Sequence, residues 1–366
     1  MPTICIIGLG YIGLPTAVIF ASRGYKVIGV DLNKSIVEKV NKGESHIIEP
    51  DLDTSLRQVI KNKLLIAQET PSRSDIYIIA VPTPHTLGEN GFYYPDTSMV
   101  FQAIEQLCPY IEKENLIILE STSPIGTTEK IENLIKQKIS FDKKDIDIAY
   151  CPERVLPGNI LNELKNNDRV IGGLTDNASI KAKNLYSKVC EGEIFTTNSR
   201  IAEMSKLCEN SYRDVNIAYA NELSIICDQI NIDVKELINL SNKHPRVNIL
   251  NPGCGVGGHC IAIDPWFIVS QFPKESLLIQ TARNVNINKT KWVLDKIKFI
   301  GKSFKEKYGK EPKMGFLGLA FKPDVDDLRE SPALKIVQEM ILENHDVMVA
   351  EPNVKDHKNI KLHQYS

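Results

Sequence analysis

The residues with the plainest chemistry lie in one short run. Asn251 to Asp264 reads N-P-G-C-G-V-G-G-H-C-I-A-I-D, with four glycines (Gly253, Gly255, Gly257, Gly258) in six positions. A backbone stripped of side chains lets main-chain amides come close to an anion, and the run then presents a thiol, Cys260, as a candidate nucleophile. His244 and Arg246 stand just before it as candidate cations. The apolar Trp266-Phe267-Ile268-Val269 follows directly, which is not how a flexible linker ends. Glycine, thiol and cation together point to a ligand cradle with a reactive end rather than to a cysteine used as core filler. His244, Cys254, His259 and Cys260 match no common zinc spacing, so no metal is expected.

A second polar group falls on a helix. From Arg200 to about Ile230 there is no proline or glycine, and the pattern predicts one long helix. Lys206, Asn210 and Arg213 fall at i, i+4 and i+7 and so share a face. An ammonium, a carboxamide and a guanidinium on one face suit an anion or a developing oxyanion. Glu203, Asp214 and Glu222 are read as solvated residues that keep this helix soluble. A helix of this length is expected to form a spine that links two domains and pairs with a second subunit.

The elements that must carry a ligand begin at the N-terminus. Thr3 to Ile7 is a β-branched run that stops at Gly8-Leu9-Gly10-Tyr11-Ile12-Gly13, after which Leu14 to Ser22 reads as a helix. This is G-x-G-x-x-G between a strand and a helix, and the next strand, Tyr25 to Val30, delivers Asp31 where a ribose hydroxyl acceptor is needed. A carboxylate there repels a 2'-phosphate, by roughly 4 kcal/mol for a unit-charge pair at ~4 Å and intermediate dielectric, so NAD is expected over NADP. Apolar strands at Asp75 to Val81 and Leu116 to Leu119 suit a parallel sheet covered on both faces. Their carboxyl ends place Thr83 and Thr122 toward the cofactor, although each threonine could equally serve as a turn or cap. Asp145 to Tyr150 leads to Cys151-Pro152-Glu153-Arg154-Val155-Leu156-Pro157-Gly158 at the same edge, and Arg169 to Ile171 and Glu193 to Thr196 close the domain.

Arg283 to Tyr308 reads as a second long helix. Met314 to Leu319, a helix from Pro332 and His345 to Ala350 then open a second α/β sheet. The chain is therefore expected to be α/β: an N-terminal Rossmann-like parallel sheet over 1–195, a central long-helix linker domain carrying the cysteine loop over 196–308, and an incomplete C-terminal α/β domain over 309–366. Two strands and one helix are few for a core of their own.

Composition supplies the exclusions. At 366 residues and 42% hydrophobic content the chain can bury a full core. A net charge of -2 gives no reason to propose nucleic acid or an anionic membrane as partner. The eight cysteines include no C-x-x-C pair, which suits free thiols in a reducing compartment. No signal peptide and no membrane-length apolar run are read, so a soluble, cytoplasmic protein is expected.

These motifs taken together resemble, over the whole length, the nucleotide-sugar 6-dehydrogenases of the UDP-glucose/GDP-mannose dehydrogenase family: G-L-G-Y-I-G, V-P-T-P, E-S-T-S-P-I-G-T, C-P-E-R-V-L-P-G, the Lys206 helix, P-G-C-G-V-G-G-H-C and F-K-P-D-V-D-D-L-R-E-S. D-R-V-I-G-G, R-D-V-N-I-A-Y-A-N-E-L-S, H-P-R-V-N-I-L and G-H-C-I-A-I-D-P-W-F-I-V resemble most the members that oxidise UDP-N-acetyl-D-mannosamine, with those acting on UDP-N-acetylglucosamine as the near alternative. The resemblance implies oxidation of a sugar CH2OH to a carboxylate, with NAD as acceptor, and the intermediate aldehyde never released. Cys260 would be the nucleophile, passing through a thiohemiacetal and a thioester, and a free thiol with a pKa of about 8.5 needs help from nearby cations at neutral pH. Lys206 would move protons and, with Asn210, stabilise negative charge on oxygen; Asp264 would activate water. Glu153 matches another active-site acid, but Pro157 stands where more distant members carry a second glutamate.

By the same resemblance Arg154, Val155, Lys206, Asn210, Arg213, His244, Arg246, Gly257, Phe321 and Lys322 would line the UDP-sugar site. Gly8, Gly10, Tyr11, Ile12, Gly13, Asp31, Thr83, Thr122 and Arg329 would hold NAD. The position of Arg246 implies a homodimer, since in relatives it reaches the substrate of the second copy. A different reading rests on the end of the chain at Ser366, just after the second strand of the C-terminal sheet: a remnant that binds NAD without turnover.

Overall fold

The computed structural model describes residues 1–89, 92–139, 146–156, 158–323 and 325–363. The chain packs as two compact units, Met1–Leu207 and Cys208–Ser366, so the boundary falls inside a helix.

In the first unit the elements run β1 (Thr3–Ile7), α1 (Gly13–Ser22), β2 (Lys26–Val30), α2 (Lys34–Asn41), α3 (Leu52–Lys61), β3 (Leu65–Gln68), β4 (Ile76–Ile79), a hairpin of β5 (His85–Leu87) and β6 (Tyr93–Pro95), α4 (Ser98–Leu107), β7 (Leu116–Leu119), α5 (Thr127–Lys138), β8 (Asp147–Tyr150), α6 (Ile160–Asn166), β9 (Arg169–Gly173), α7 (Asp176–Tyr186) and β10 (Ile194–Asn198). Eight strands form one sheet in the order β10-β9-β8-β7-β4-β1-β2-β3. Their apolar runs are continuous because both faces are covered. Ile4, Ile6, Ile76, Ile78, Leu116 and Ile118 pack on one face with α1, α3 and α7. The alternating residues Cys5, Ile7, Tyr77, Ile79, Ile117 and Leu119 pack on the other, with α4 and α5.

The sheet departs from the all-parallel expectation at one pairing. β8 and β9 run antiparallel, with Ala149 opposite Gly173 and Tyr150 opposite Gly172, while β9 and β10 run parallel. Strand polarity depends on how the chain returns to the sheet, which apolar patterning does not encode.

From the end of the first unit into the second runs α8 (Ser199–Gln229), followed by α9 (Val234–Ser241), α10 (Asp264–Gln271), α11 (Leu277–Tyr308), β11 (Lys313–Leu317), α12 (Pro332–Leu342), β12 (Asp346–Ala350) and β13 (Leu362–His363). α11 begins several residues before the Arg283 start read from sequence, and Gly309 ends it with a left-handed cap at φ 67°. The second sheet has three parallel strands, β11-β12-β13, one more than expected.

The acids of α8 correct the sequence reading. Glu203 and Asp214 are not solvated: both are 0% exposed. Glu203 accepts hydrogen bonds from the amides of Gly126 (2.6 Å) and Thr128 (2.8 Å) and from the Thr128 hydroxyl (2.7 Å). It thereby satisfies the first turn of α5, whose own N-cap is a glycine without a side chain. Burial raises its carboxyl, and these bonds oppose the rise. In the second unit Asp214 pairs with Arg283 at 2.5 Å and accepts from Asn286 at 2.8 Å. Further along the same seam Asn221 donates to Asn286 (2.8 Å) and Lys289 to Ser224 (2.8 Å), so α8 and α11 are joined by a buried polar ladder.

Candidate active site

At the nucleotide end the three motif glycines are required for different reasons. Gly8 has φ +94°, and a Cβ on it would meet Ala80 O at 2.6 Å; one on Gly13 would meet Gly8 O at 1.8 Å. Both are fixed by the packing of strand, turn and helix. A Cβ on Gly10 would meet nothing within 4 Å, so the protein itself gives no reason for that glycine and an approaching phosphate does. α1 behind it has no side-chain cap and no acid in its first turn, which leaves its N-terminal amides and dipole suited to a diphosphate. Tyr11 and Ile12 are half-buried in this turn.

Asp31 follows β2 and accepts from Leu9 N at 3.0 Å and Asn33 N at 2.9 Å. Each oxygen takes one of these bonds, and a carboxylate has capacity for a ribose hydroxyl besides. Thr83 and Thr122, read separately from sequence, are brought together: the Thr83 hydroxyl donates to Thr122 O at 2.7 Å. These residues fit a dinucleotide.

A buried charge cluster forms past the ends of β7 and β8. Continuing the β8/β9 register sets Glu153 opposite Arg169, and their side chains pair at 2.7 Å with 7% and 6% exposure. The other Glu153 oxygen accepts from Arg154 N at 3.0 Å, and its carbonyl accepts from Lys206 Nζ. The Arg169 guanidinium lies 4.6 Å over the Tyr186 ring, and the Tyr186 hydroxyl donates to Glu120 Oε1 at 2.5 Å. Burial, then the Glu153 charge, pushes the Glu120 carboxyl up to about 7 against the opposing Arg169. Burial also drives the Cys151 thiol up to about 12, which rules it out as a nucleophile at neutral pH.

Arg169, Tyr186 and Glu120 were given no role by sequence reasoning. The available signals were the D-R-V-I-G-G resemblance for Arg169 and E-S-T-S-P-I-G-T for Glu120, because the pairing itself arises from strand polarity. Arg154 and Val155 are half-buried beside this cluster, Arg154 reaching Ser205 Oγ at 3.4 Å. The expectation about Pro157 lies outside the described residues.

On α8 the predicted polar face divides. Lys206 and Asn210 are buried, at 9% and 6% exposure, whereas Arg213 is exposed. In the second unit Asn210 Nδ2 donates to Asp264 Oδ2 at 2.6 Å. Asp264, 3% exposed, opens α10, where the helix dipole favours its charge. Its amide donates to Cys260 O at 2.8 Å. Carboxamide, carboxylate and the backbone of the cysteine are thus joined in one chain of hydrogen bonds.

The glycine run that precedes Cys260 is tightly packed. Cβ atoms on Gly257 and Gly258 would meet Phe321 at 2.7 and 2.8 Å, and one on Gly255 (φ +140°) would meet Thr290 Oγ1 at 2.3 Å. These glycines are explained by close packing against other parts of their own unit, above all the segment from Phe321 to Pro332. Gly258 N donates to Arg329 O at 3.0 Å. His259 Nδ1 lies 3.5 Å from Asp327 Oδ2, and Arg329 grips that carboxylate through Nε (2.9 Å), Nη2 (2.7 Å) and its own amide (2.9 Å). Burial pushes Asp327 up, but the bonds from His259 and Arg329 outweigh it and hold the carboxyl far below its ordinary range.

Cys260 is free and half-buried; Cys254 is also free, and burial raises its thiol. Lys322, His244 and Arg246 are exposed, and Arg246 N donates to His244 Nδ1 at 3.3 Å. Among the described residues no three His, Cys, Asp or Glu side chains form a metal cluster.

Comparison with known proteins matches three segments of the chain. Residues 2–190 match the NAD binding domain of the UDP-glucose/GDP-mannose dehydrogenase family, 200–289 its central domain and 315–365 its UDP binding domain. The UDP-N-acetyl-D-mannosamine dehydrogenase of Campylobacter jejuni is 53% identical over 98% of this chain and 90% of its own length. The NDP-N-acetyl-D-galactosaminuronic acid dehydrogenase of Ralstonia nicotianae is 48% identical over 96% of this chain and 84% of its own. Among solved structures the UDP-N-acetyl-mannosamine dehydrogenase of Staphylococcus aureus superposes with a TM-score of 0.89 at 43% identity, covering 98% of this chain and 84% of that one.

Proposed function

We propose that this chain, which belongs to the UDP-glucose/GDP-mannose dehydrogenase family, carries out the NAD-dependent four-electron oxidation of UDP-N-acetyl-D-mannosamine to the corresponding uronate, a building block for bacterial surface polysaccharide. The observation that carries the reading is the 53% identity, over 98% of the chain, to a relative of that name. Residues 1–195 serve the cofactor, 196–308 the thiol loop and subunit pairing, and 309–366 the UDP moiety.

NAD, when bound, supplies the electron acceptor for both oxidation stages. The chain's own groups do the rest. Lys206 Nζ, buried and already directed at a carbonyl, donates to the sugar oxygen as negative charge develops there, with Asn210 as second donor. The Cys260 thiolate adds to the aldehyde carbon, whose C=O electron pair moves onto oxygen, and the same sulfur carries the carbon at the acyl level until water displaces it. Asp264, oriented by Asn210 at 2.6 Å, accepts the proton of that water, and Glu153, paired with Arg169, is the second acid assigned to the reaction. Arg213, Gly257, Phe321 and Lys322 in the second unit and Arg154 and Val155 in the first are assigned to the UDP-sugar; Thr83, Thr122 and Arg329 are assigned to NAD.

The working form is a cytoplasmic homodimer, with Arg246 reaching the substrate of the second copy. Tyr212, Tyr219 and Ile226, 72%, 54% and 46% exposed, recur every seven residues along α8, and Ile230 (60%) extends the stripe. Apolar side chains repeated in this way suit a second helix. Among the described residues no helix is long and apolar enough to cross a membrane.

The test offers the purified protein UDP-N-acetyl-D-mannosamine and its N-acetylglucosamine, N-acetylgalactosamine and glucose counterparts separately with NAD. Two NADH per sugar, formed fastest from the mannosamine compound, is the expected result. Faster turnover of any competitor overturns the substrate, and of the N-acetylgalactosamine compound in particular supports the second reading suggested by the Ralstonia relative.

A further inference from the structure

We propose that His259, held by Asp327, is the counter-cation of the Cys260 thiolate, which makes it a catalytic residue of the reaction assigned above and rests on that assignment of Cys260 as nucleophile. Sequence reasoning considered this histidine only as a metal ligand. The structure ties it instead to a carboxylate on a distant segment.

The geometry is built in three steps. Gly257 and Gly258 admit the Phe321 segment at distances no side chain would allow. The Gly258 N to Arg329 O bond of 3.0 Å then locks the backbone next to His259. Last, Asp327, only 8% exposed, is oriented by the Arg329 fork at 2.9 and 2.7 Å so that its second oxygen also faces His259 Nδ1 at 3.5 Å. Asp327 and Arg329 are positioning residues.

Cys260 is the next residue in the chain, and its thiol is among the groups that act on the imidazole. Burial pulls the imidazole down, but Asp327 and Cys260 together outweigh burial and the opposing charge of Arg329, and its pKa rises to about 9. Among the described residues these three groups act on it most strongly. A buried carboxylate therefore holds the ring as a cation next to Cys260, where its charge favours the thiolate once the Sγ proton has passed to solvent.

Alkylation of the full chain, without NAD or sugar, reads this directly. Iodoacetamide forms an S–C bond with the thiolate and releases iodide. Modification of Cys260 is followed by peptide mass spectrometry against Cys208, an exposed cysteine of the same molecule, from pH 5.5 to 9.5. In His259→Gln the Cys260 to Cys208 rate ratio at pH 7 should fall about tenfold or more, and in Asp327→Asn about threefold, with both converging on the unmodified protein at the alkaline end. An unchanged ratio in His259→Gln overturns the proposal. So does a drop of equal size at every pH, which reports altered access rather than lost charge. Because no substrate is present, a wrong sugar assignment leaves this ratio intact, whereas loss of the ratio leaves the turnover assay to stand alone.

Discussion

Two charge clusters, one in each unit, are built in opposite ways. In the first, Glu153, Arg169, Tyr186 and Glu120 are almost wholly enclosed and are linked to one another across neighbouring strands and α7. In the second, His259 and Arg329 keep 35% and 48% of their side chains exposed while the carboxylate between them is buried. The first arrangement fixes a geometry, because every partner is rigid and moving any one strands another. The second leaves the Cys260 sulfur, the nucleophile proposed above, half-buried in a loop shaped by close glycine packing.

The comparison breaks most visibly at sulfur. Cys260→Ser should lower uronate formation by about a thousandfold or more, since the hydroxyl cannot replace the thiolate in either covalent stage. Cys254→Ser should remain within about threefold, because that thiol is raised by burial and has no assigned role. Equal losses from the two changes would mean that the loop needs sulfur for structure rather than for catalysis.

Removing the cation of the enclosed cluster sharpens the other side. Arg169→Met leaves Glu153 without its partner at 7% exposure, and loss of one member of a buried pair costs about 3–5 kcal/mol. Urea unfolding at pH 7 measures this. A loss below about 1 kcal/mol would show that water reaches Glu153 and that the cluster is not enclosed.

The smallest effect carries a sign. Glu120 is raised by burial from its ordinary value of 4.5 to about 7, so between those pH values the folded chain holds a proton that the unfolded chain has lost. Stability therefore falls as pH rises across that window, and the whole cost is present above about 7. Glu120→Gln keeps an oxygen for the Tyr186 hydroxyl and removes the titration. The variant should match the parent near pH 4.5 and exceed it by about 1–3 kcal/mol at pH 8. A parallel pH dependence in the two proteins would place the shift on another group.

Much of this molecule was legible before it was folded. β1, the glycine turn, α1, Asp31 and the long helix from Ser199 are local: each is set by propensity, periodicity and caps within a short window, and the residues concerned meet because the chain between them is short. Cys260 was legible for the same reason, since its loop is one uninterrupted run.

The partners of these groups were decided only by tertiary structure. Glu153 meets Arg169 because β9 returns antiparallel to β8, and no residue pattern in either strand states its direction. Glu203 and Asp214 read as surface acids on a helix until α5 and α11 are placed against it and their carboxylates become a cap and a buried pair. His259 and Asp327 are separated by two helices and a strand, and only the close approach permitted by Gly257 and Gly258 joins them. Sequence patterning records which face of an element is buried; which polar group lies opposite it depends on strand polarity, helix placement and backbone approach, and these are properties of the packed chain.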